Sequence, residues 1–231
     1  MTWDRNFRDR YILIEPTDHC NLDCIMCTRG LLGVENPHNQ PKGFMSLDVF
    51  KKIIGDLEIG EEPMAIKLFW LGESLLHKDL PAMLEYAYSK IRETPAYLDL
   101  HTNALLLDDR MIGLLLKLGD KMGHLTVSLD AVNPDTYSRI RRNGNLKAAM
   151  DNVKNLISRR EAGHYLYPAV ILQLIVMEEN MDEVKAFVDH WSSFLEKTLR
   201  KNLLEGFEDL DEKRQVEVLK ERGIYGEFKN A

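Results

Sequence analysis

Hydrophobic positions along this chain repeat with two alternating periods. Short apolar, strand-like runs recur at residues 11–15, 65–70, 97–102, 124–129 and 168–177. Between them the apolar residues fall at helical spacing. Leu47, Phe50, Ile53, Ile54 and Leu57 share one face after Ser46, a residue type that caps helix N-termini, and Gly60 and Pro63 stop that segment. Pro81 opens a second stripe of Met83, Leu84, Ala87, Tyr88 and Ile91, at a position proline tolerates. Asp108 precedes Met111, Leu114, Leu115 and Leu118, which end at Gly119. Leu146, Ala149, Met150, Val153, Leu156 and Ile157 form a fourth stripe. Strand and helix in alternation predict an α/β fold built on parallel strands. The fifth run is apolar almost throughout, which predicts a strand buried on both faces.

After Met181 the alternation stops. Val184, Phe187, Val188, Trp191, Phe194, Leu195, Leu199 and Leu203 sustain one helical stripe to about Leu204, with Asn180 as the expected cap. A further helix is expected from Asp209 or Asp211, with Val216 and Leu219 inward and Gly223 closing it. Residues 224–228 are the remaining strand candidate, either a late sixth strand or a tail. The expected organisation is a core over residues 1–180 and C-terminal helices over 181–231.

Composition narrows the classes. The 231 residues are 45% hydrophobic and 29% charged, which suits an ordinary soluble globule. No apolar run is long enough to span a bilayer, and the first ten residues lack the apolar stretch of a secretory signal, so no membrane partner is expected. The net charge of −7 argues against a nucleic-acid partner. The expected location is cytoplasmic.

The chemistry is concentrated in Cys20-Asn-Leu-Asp-Cys24-Ile-Met-Cys27, which holds all three cysteines of the chain. Their odd number and the expected reducing compartment disfavour a disulfide. Soft thiolates suit an iron–sulfur cluster or zinc. Three ligands leave one position of a tetrahedral site open for chemistry. A structural Cys3His zinc site, with His19, His38 or a distant histidine as fourth ligand, is the other reading of the triad.

The C-x3-C-x2-C spacing resembles the signature of the radical S-adenosylmethionine (radical SAM) enzymes. That resemblance implies a partial (β/α)5-6 TIM-like barrel. It also implies a [4Fe-4S] cluster held by Cys20, Cys24 and Cys27, and S-adenosyl-L-methionine bound to the fourth iron. Reductive cleavage of the sulfonium would then give a 5'-deoxyadenosyl radical that abstracts hydrogen from a substrate, an oxidoreductase-type reaction.

Further family-like motifs follow in order, each at the end of a predicted strand. Leu71-Gly72-Glu73-Ser74 is similar to the Gly-Gly-Glu-Pro run whose strand backbone pairs with the amino group of S-adenosylmethionine. Thr102-Asn103-Ala104 is similar to a Thr-Asn-Gly ending near the cofactor. Ser128-Leu129-Asp130-Ala131 resembles the ending that meets the ribose and carboxylate. Alternation puts Ser128 and Asp130 on one side of their strand, facing the barrel interior.

Tyr137-Ser-Arg-Ile-Arg141 resembles the family's Tyr/Asp-x-x-Ile-Arg pattern, and Arg141 is a candidate to pair bidentately with a carboxylate, that of the cofactor's methionine moiety. A basic surface of Arg139, Arg141, Arg142 and Lys147 is the alternative, and it would suit an acidic electron donor. Met26 and Val176 or Met177 are further cofactor candidates. His77 reads as a surface loop histidine. Tyr86, Tyr88, His101 and His124 are candidate acids or bases by type alone.

The spacing of the motifs looks most like the peptide-modifying branch with SPASM or twitch extensions, whose auxiliary-cluster cysteines are missing after Cys27. The implied partners are an electron donor such as flavodoxin or ferredoxin and a peptide or small-molecule substrate. A zinc-stabilised binding module and a catalytically degenerate scaffold are the alternatives from other classes.

Overall fold

A computed structural model describes residues 10–28 and 43–203. Its centre is a five-stranded sheet of β1 (Arg10–Leu13), β3 (Met64–Lys67), β4 (Ala96–Thr102), β5 (Met122–Ser128) and β7 (Ala169–Gln173). The strands lie side by side in chain order and every pairing is parallel. Helices supply the crossovers: α1 (Leu47–Gly55), α2 (Leu80–Ile91), α3 (Asp109–Lys117) and α5 (Leu146–Ala162). The predicted α/β class is the class observed. A short helix α4 (Pro134–Ile140) leads into a two-residue strand β6 (Arg141–Arg142), which pairs antiparallel with β2 (Asp23–Cys24).

Local chemistry explains the boundaries. Ser46 and Asp108 accept from Val49 N and Met111 N, so both predicted caps form. Asn133 and Asn145 cap α4 and α5 in the same way. Each satisfies an amide that the first helical turn leaves without a partner. The first helix ends at Gly55, before the expected breakers Gly60 and Pro63.

Strand alternation separates two faces of the sheet. Ile66, Leu98, Leu100, Leu125 and Val127 are essentially inaccessible and share one core cluster with Leu84, Ile112 and Leu156 of the helices. The intervening Lys67, Tyr97, His101, His124 and Ser128 are half-exposed and form the open face.

The fifth strand departs from expectation. It is five residues long, and Ile171 is 46% exposed, with Ile175 and Val176 also exposed beyond its end. Among the described residues β7 is an edge strand, so its apolar letters do not mark burial on both faces. A 3-10 turn, Met181–Glu183, then leads into α6 (Val184–Leu203), which docks through buried Phe187 and Trp191. The helix and strand expected after Leu204 lie outside the described residues.

Candidate functional site

The cysteine loop leaves β1 at the C-terminal edge of the sheet, the edge at which α/β folds bind ligands. It is held in place before any ligand is considered. Cys24 is the cross-strand partner of Arg141, and Ile25 N donates to Ile140 O at 2.9 Å. Cys27 N closes a turn onto Cys24 O at 3.1 Å. All three thiols are half-buried. Burial pushes the Cys24 thiol up to about 11; the Arg141 guanidinium opposes the shift, while Cys20 and Cys27 add to it. The three sulfurs therefore sense one another, and metal uptake must displace a proton from Cys24.

The second strand's ending is stitched to this loop. Glu73 N donates to His19 O at 2.8 Å, and Leu71 N and Gly72 N both donate to Glu15 Oε1, at 2.7 and 3.1 Å. A Cβ built on Gly72 would stand 1.9 Å from Thr17 O, so only glycine permits this approach. The Glu73 carboxylate is 3% exposed. It accepts from Leu75 N at 3.2 Å, Thr102 Oγ1 at 2.8 Å and Asn103 N at 2.8 Å. Burial raises its pKa, and these bonds together with Arg141 pull it back. Glu73 is thus a buried tie between the ends of β3 and β4, not a solvated turn residue. Asn103 Nδ2 continues the chain of bonds to Asn21 Oδ1 at 2.8 Å, next to Cys20.

The fourth ending meets the loop through Arg141. Asp130 is fully buried and takes a left-handed φ of 62°. Its Oδ2 accepts from Arg141 Nε at 2.7 Å and Nη2 at 2.5 Å, and its Oδ1 accepts from Ile175 N at 2.7 Å. Arg141 Nη1 points to Cys24 Sγ at 3.8 Å. Asn180 Nδ2 donates to Asp130 O and Ile175 O, and Asn180 Oδ1 accepts from Met177 N.

Several expectations need correction. Asp130 lies beyond the end of β5, so strand alternation does not carry it to the side of Ser128. Ser128 Oγ donates to Gln173 Oε1 at 2.9 Å on the open face. Arg141 is 6% exposed and finds its carboxylate in Asp130, so it belongs to no basic surface. The Ser74 hydroxyl is buried and donates to Leu68 O at 2.6 Å. Asn180 stands at the N-cap position of the 3-10 turn, but its side chain makes no cap bond; its amide ties β7's extension to Asp130. His77 is 3% exposed, accepts from Asp79 N through Nδ1 and so donates through Nε2 to Met45 O.

Met26 and Met177 are half-buried near the two ends of this network. Of the acid–base candidates, His101 and His124 lie on the open face. His101 stacks on Phe69 with centroids 3.6 Å apart, and burial holds its pKa below the usual histidine value. His124 Nδ1 lies 2.9 Å from Asp99 Oδ1. Tyr86 and Tyr88 belong to α2, on the helical side. Glu15, Asn21 and Gln173 are site residues that sequence reasoning missed, because each acts through a contact distant in sequence that no local pattern flags. Tyr137 entered the sequence reading only as the first residue of the motif ending at Arg141.

The donor set fits a soft metal cluster. Three thiols and a guanidinium sense one another's charge, and the buried Tyr137 hydroxyl, without a hydrogen-bond partner among the described residues, feels the charges of Arg141 and Cys24. His19 stacks on Phe44 at 4.6 Å, and His38 lies outside the described residues. Among the described residues no three His, Cys, Asp or Glu side chains stand in a ready metal-binding array.

The radical SAM superfamily model matches residues 14–190. The chain belongs to the radical SAM superfamily. Relatives of this radical SAM chain are named as enzymes. One is a tungsten-containing aldehyde ferredoxin oxidoreductase cofactor-modifying protein of Pyrococcus furiosus, 26% identical over 177 residues, which cover 76% of this chain and 46% of the relative. Another is a GTP 3',8-cyclase of Pelotomaculum thermopropionicum, 30% identical over 181 residues, with 76% and 50% covered. The chain spans about half the length of these curated relatives.

Among solved structures, AdoMet-bound anSMEcpe superposes with a TM-score of 0.60 at 17% identity, covering 80% of this chain and 47% of that one. Streptococcus suis SuiB bound to S-adenosylmethionine gives 0.57 at 14% identity, covering 80% and 38%. At these identities the likeness is one of fold: the radical SAM partial barrel. No described helix is long and apolar enough to cross a membrane.

Proposed function

We propose that this chain is the catalytic core of a radical SAM enzyme, in which Cys20, Cys24 and Cys27 hold a [4Fe-4S] cluster and S-adenosyl-L-methionine binds beside it. When bound, the cluster supplies the electron that cleaves the sulfonium and so starts hydrogen abstraction from a peptide or a small metabolite. The residues of the chain do the positioning. Arg141 keeps a positive charge beside Cys24 and favours its thiolate form. Asp130 holds that guanidinium in orientation and excludes water from it. Glu73 and Asn103 fix the loop against the ends of β3 and β4, and Cys20, Cys24 and Cys27 on that loop would hold the cluster.

Backbone groups of residues 71–73 and side chains of Asn103 and Ser128, with Met26 and Met177 at the flanks, border the space for S-adenosylmethionine. The open face of the sheet, carrying His101 and His124, is where the substrate lies. Flavodoxin or ferredoxin is the class of electron donor. The spacing of the motifs favours the peptide-modifying branch.

One observation carries this reading. The motif residues Glu73, Asn103 and Asp130 converge on the cysteine loop through direct or single-residue bridges. A structural zinc site gives no reason for three strand ends to do so. The test is anaerobic reconstitution with iron and sulfide, then incubation with S-adenosylmethionine and a strong reductant. The wild type is expected to become brown and to release 5'-deoxyadenosine, and Cys24→Ala to lose both. A colourless protein holding one zinc would favour the binding module. A loaded protein releasing no more 5'-deoxyadenosine than Cys24→Ala would favour the scaffold.

A further inference from the structure

Among the described residues Tyr137 is the largest fully buried side chain, 1% exposed, yet its hydroxyl has no hydrogen-bond partner there. A buried polar group of this kind calls for a partner, and a missing ion is one of the recognised explanations. The hydroxyl sits beside the Arg141–Gly144 turn, where it senses the charges of Arg141, Cys24 and Asp130. A Cβ built on Gly144 would lie 2.7 Å from Tyr137 Cε1, 3.1 Å from its hydroxyl oxygen and 2.8 Å from Arg141 O. The tip of the ring therefore rests on the turn closed by Gly144 N and Arg141 O. Directly across the two-stranded ladder from Arg141 is Cys24, whose sulfur already faces Arg141 Nη1. The absence of a side chain at Gly144 leaves room for the hydroxyl at this place. Phenylalanine would fill the same apolar space, so packing does not account for the oxygen.

We infer that the Tyr137 hydroxyl donates a hydrogen bond to the Cys24 thiolate when the cluster is bound, making Tyr137 a positioning residue that raises the cluster's reduction potential. The inference rests on the functional reading above. A donor on a ligand sulfur stabilises the more negative, reduced cluster, and hydrogen bonds to sulfur are among the levers that set such potentials. With Arg141 Nη1 on its other side, Cys24 would receive two donors, one charged and one neutral.

The test uses the full chain, reconstituted anaerobically, as wild type and Tyr137→Phe. An EPR-monitored redox titration is expected to show the midpoint potential of Tyr137→Phe shifted to more negative values. Electron–nuclear double resonance of the reduced cluster is expected to lose one exchangeable-proton coupling. Without the cluster, Tyr137→Phe is expected to melt no lower than wild type, because it removes an unpaired buried hydroxyl. Tyr137→3-fluorotyrosine, a stronger donor of nearly the same shape, is expected to move the potential upward. It also serves if Tyr137→Phe loads poorly. An unshifted potential with the proton coupling intact overturns the inference, as does a cluster-free Tyr137→Phe that melts lower than wild type. A wild type that takes up no cluster sinks the functional reading itself, a result distinct from a loaded wild type matched by an unshifted variant.

Discussion

At Glu73 one carboxylate answers donors from its own turn, from the Thr102 hydroxyl and from the Asn103 amide, all in a site closed to water. Every one of those neighbours donates a hydrogen bond, so the site suits a group that only accepts. Glu73→Gln replaces one acceptor oxygen with an amide that faces a donor. The expected cost is about 1–3 kcal/mol of stability, the usual penalty of an unmet buried polar group. Urea denaturation measures it, and a loss below a few tenths would show that the tie is dispensable. The Gly-Glu pair was legible in the sequence; that Glu73 serves as a buried strand tie was not. Its tie to Asn103 bridges 30 residues, that of Glu15 to Gly72 bridges 57, and that of Asn21 to Asn103 bridges 82. No window of sequence contains both ends of such a contact.

Elements are joined here by carboxylates as well as by apolar packing. Glu183, at the entry to α6, accepts from Val132 N at 2.9 Å and Asn133 N at 3.0 Å, just before α4. Burial raises its pKa, but the bonds from Thr136, Val132 and Asn133 and the charge of Arg139 outweigh that, and the net shift is downward. A carboxyl held lower in the folded chain stabilises it above the unfolded value of about 4.3, and the gain is lost as pH falls through the folded value. The stability gap between wild type and Glu183→Gln is therefore expected to be widest above about pH 5 and to close on acidification. A gap constant from neutral pH down to acid unfolding would assign the bonds no charge dependence. At this scale helix caps were readable, because Ser46 and Asp108 act on amides three residues away. The role of Asn180 was not, since its partner Asp130 lies 50 residues earlier.

Across the whole molecule, the C-terminal helix is part of the same core. Phe187 and Trp191 of α6 belong to the cluster that also contains the sheet and α5, with Trp191 3% exposed. We propose that residues 181–203 do not melt separately from the core before them. Trp191→Ala is expected to lower the stability of one cooperative transition by about 3–5 kcal/mol. Two resolved transitions in calorimetry, with only the weaker one affected, would divide the chain at about residue 180 instead.

The sequence alone determined the α/β class, the chain order of the five sheet strands and the four helices between them, and the cysteine triad. These follow from periodicity and from rare residue types set close together, and both are local properties. Only the tertiary structure decided that β7 is an edge strand among the described residues, that Arg141 is locked to Asp130, and that Tyr137 presents an unpaired hydroxyl near Cys24. Burial and hydrogen-bond partnership depend on which distant segments meet. Apolar letters look alike in a strand covered on both faces and in one covered on a single face. An arginine looks the same on a surface as it does against a buried carboxylate, until folding brings the carboxylate to it.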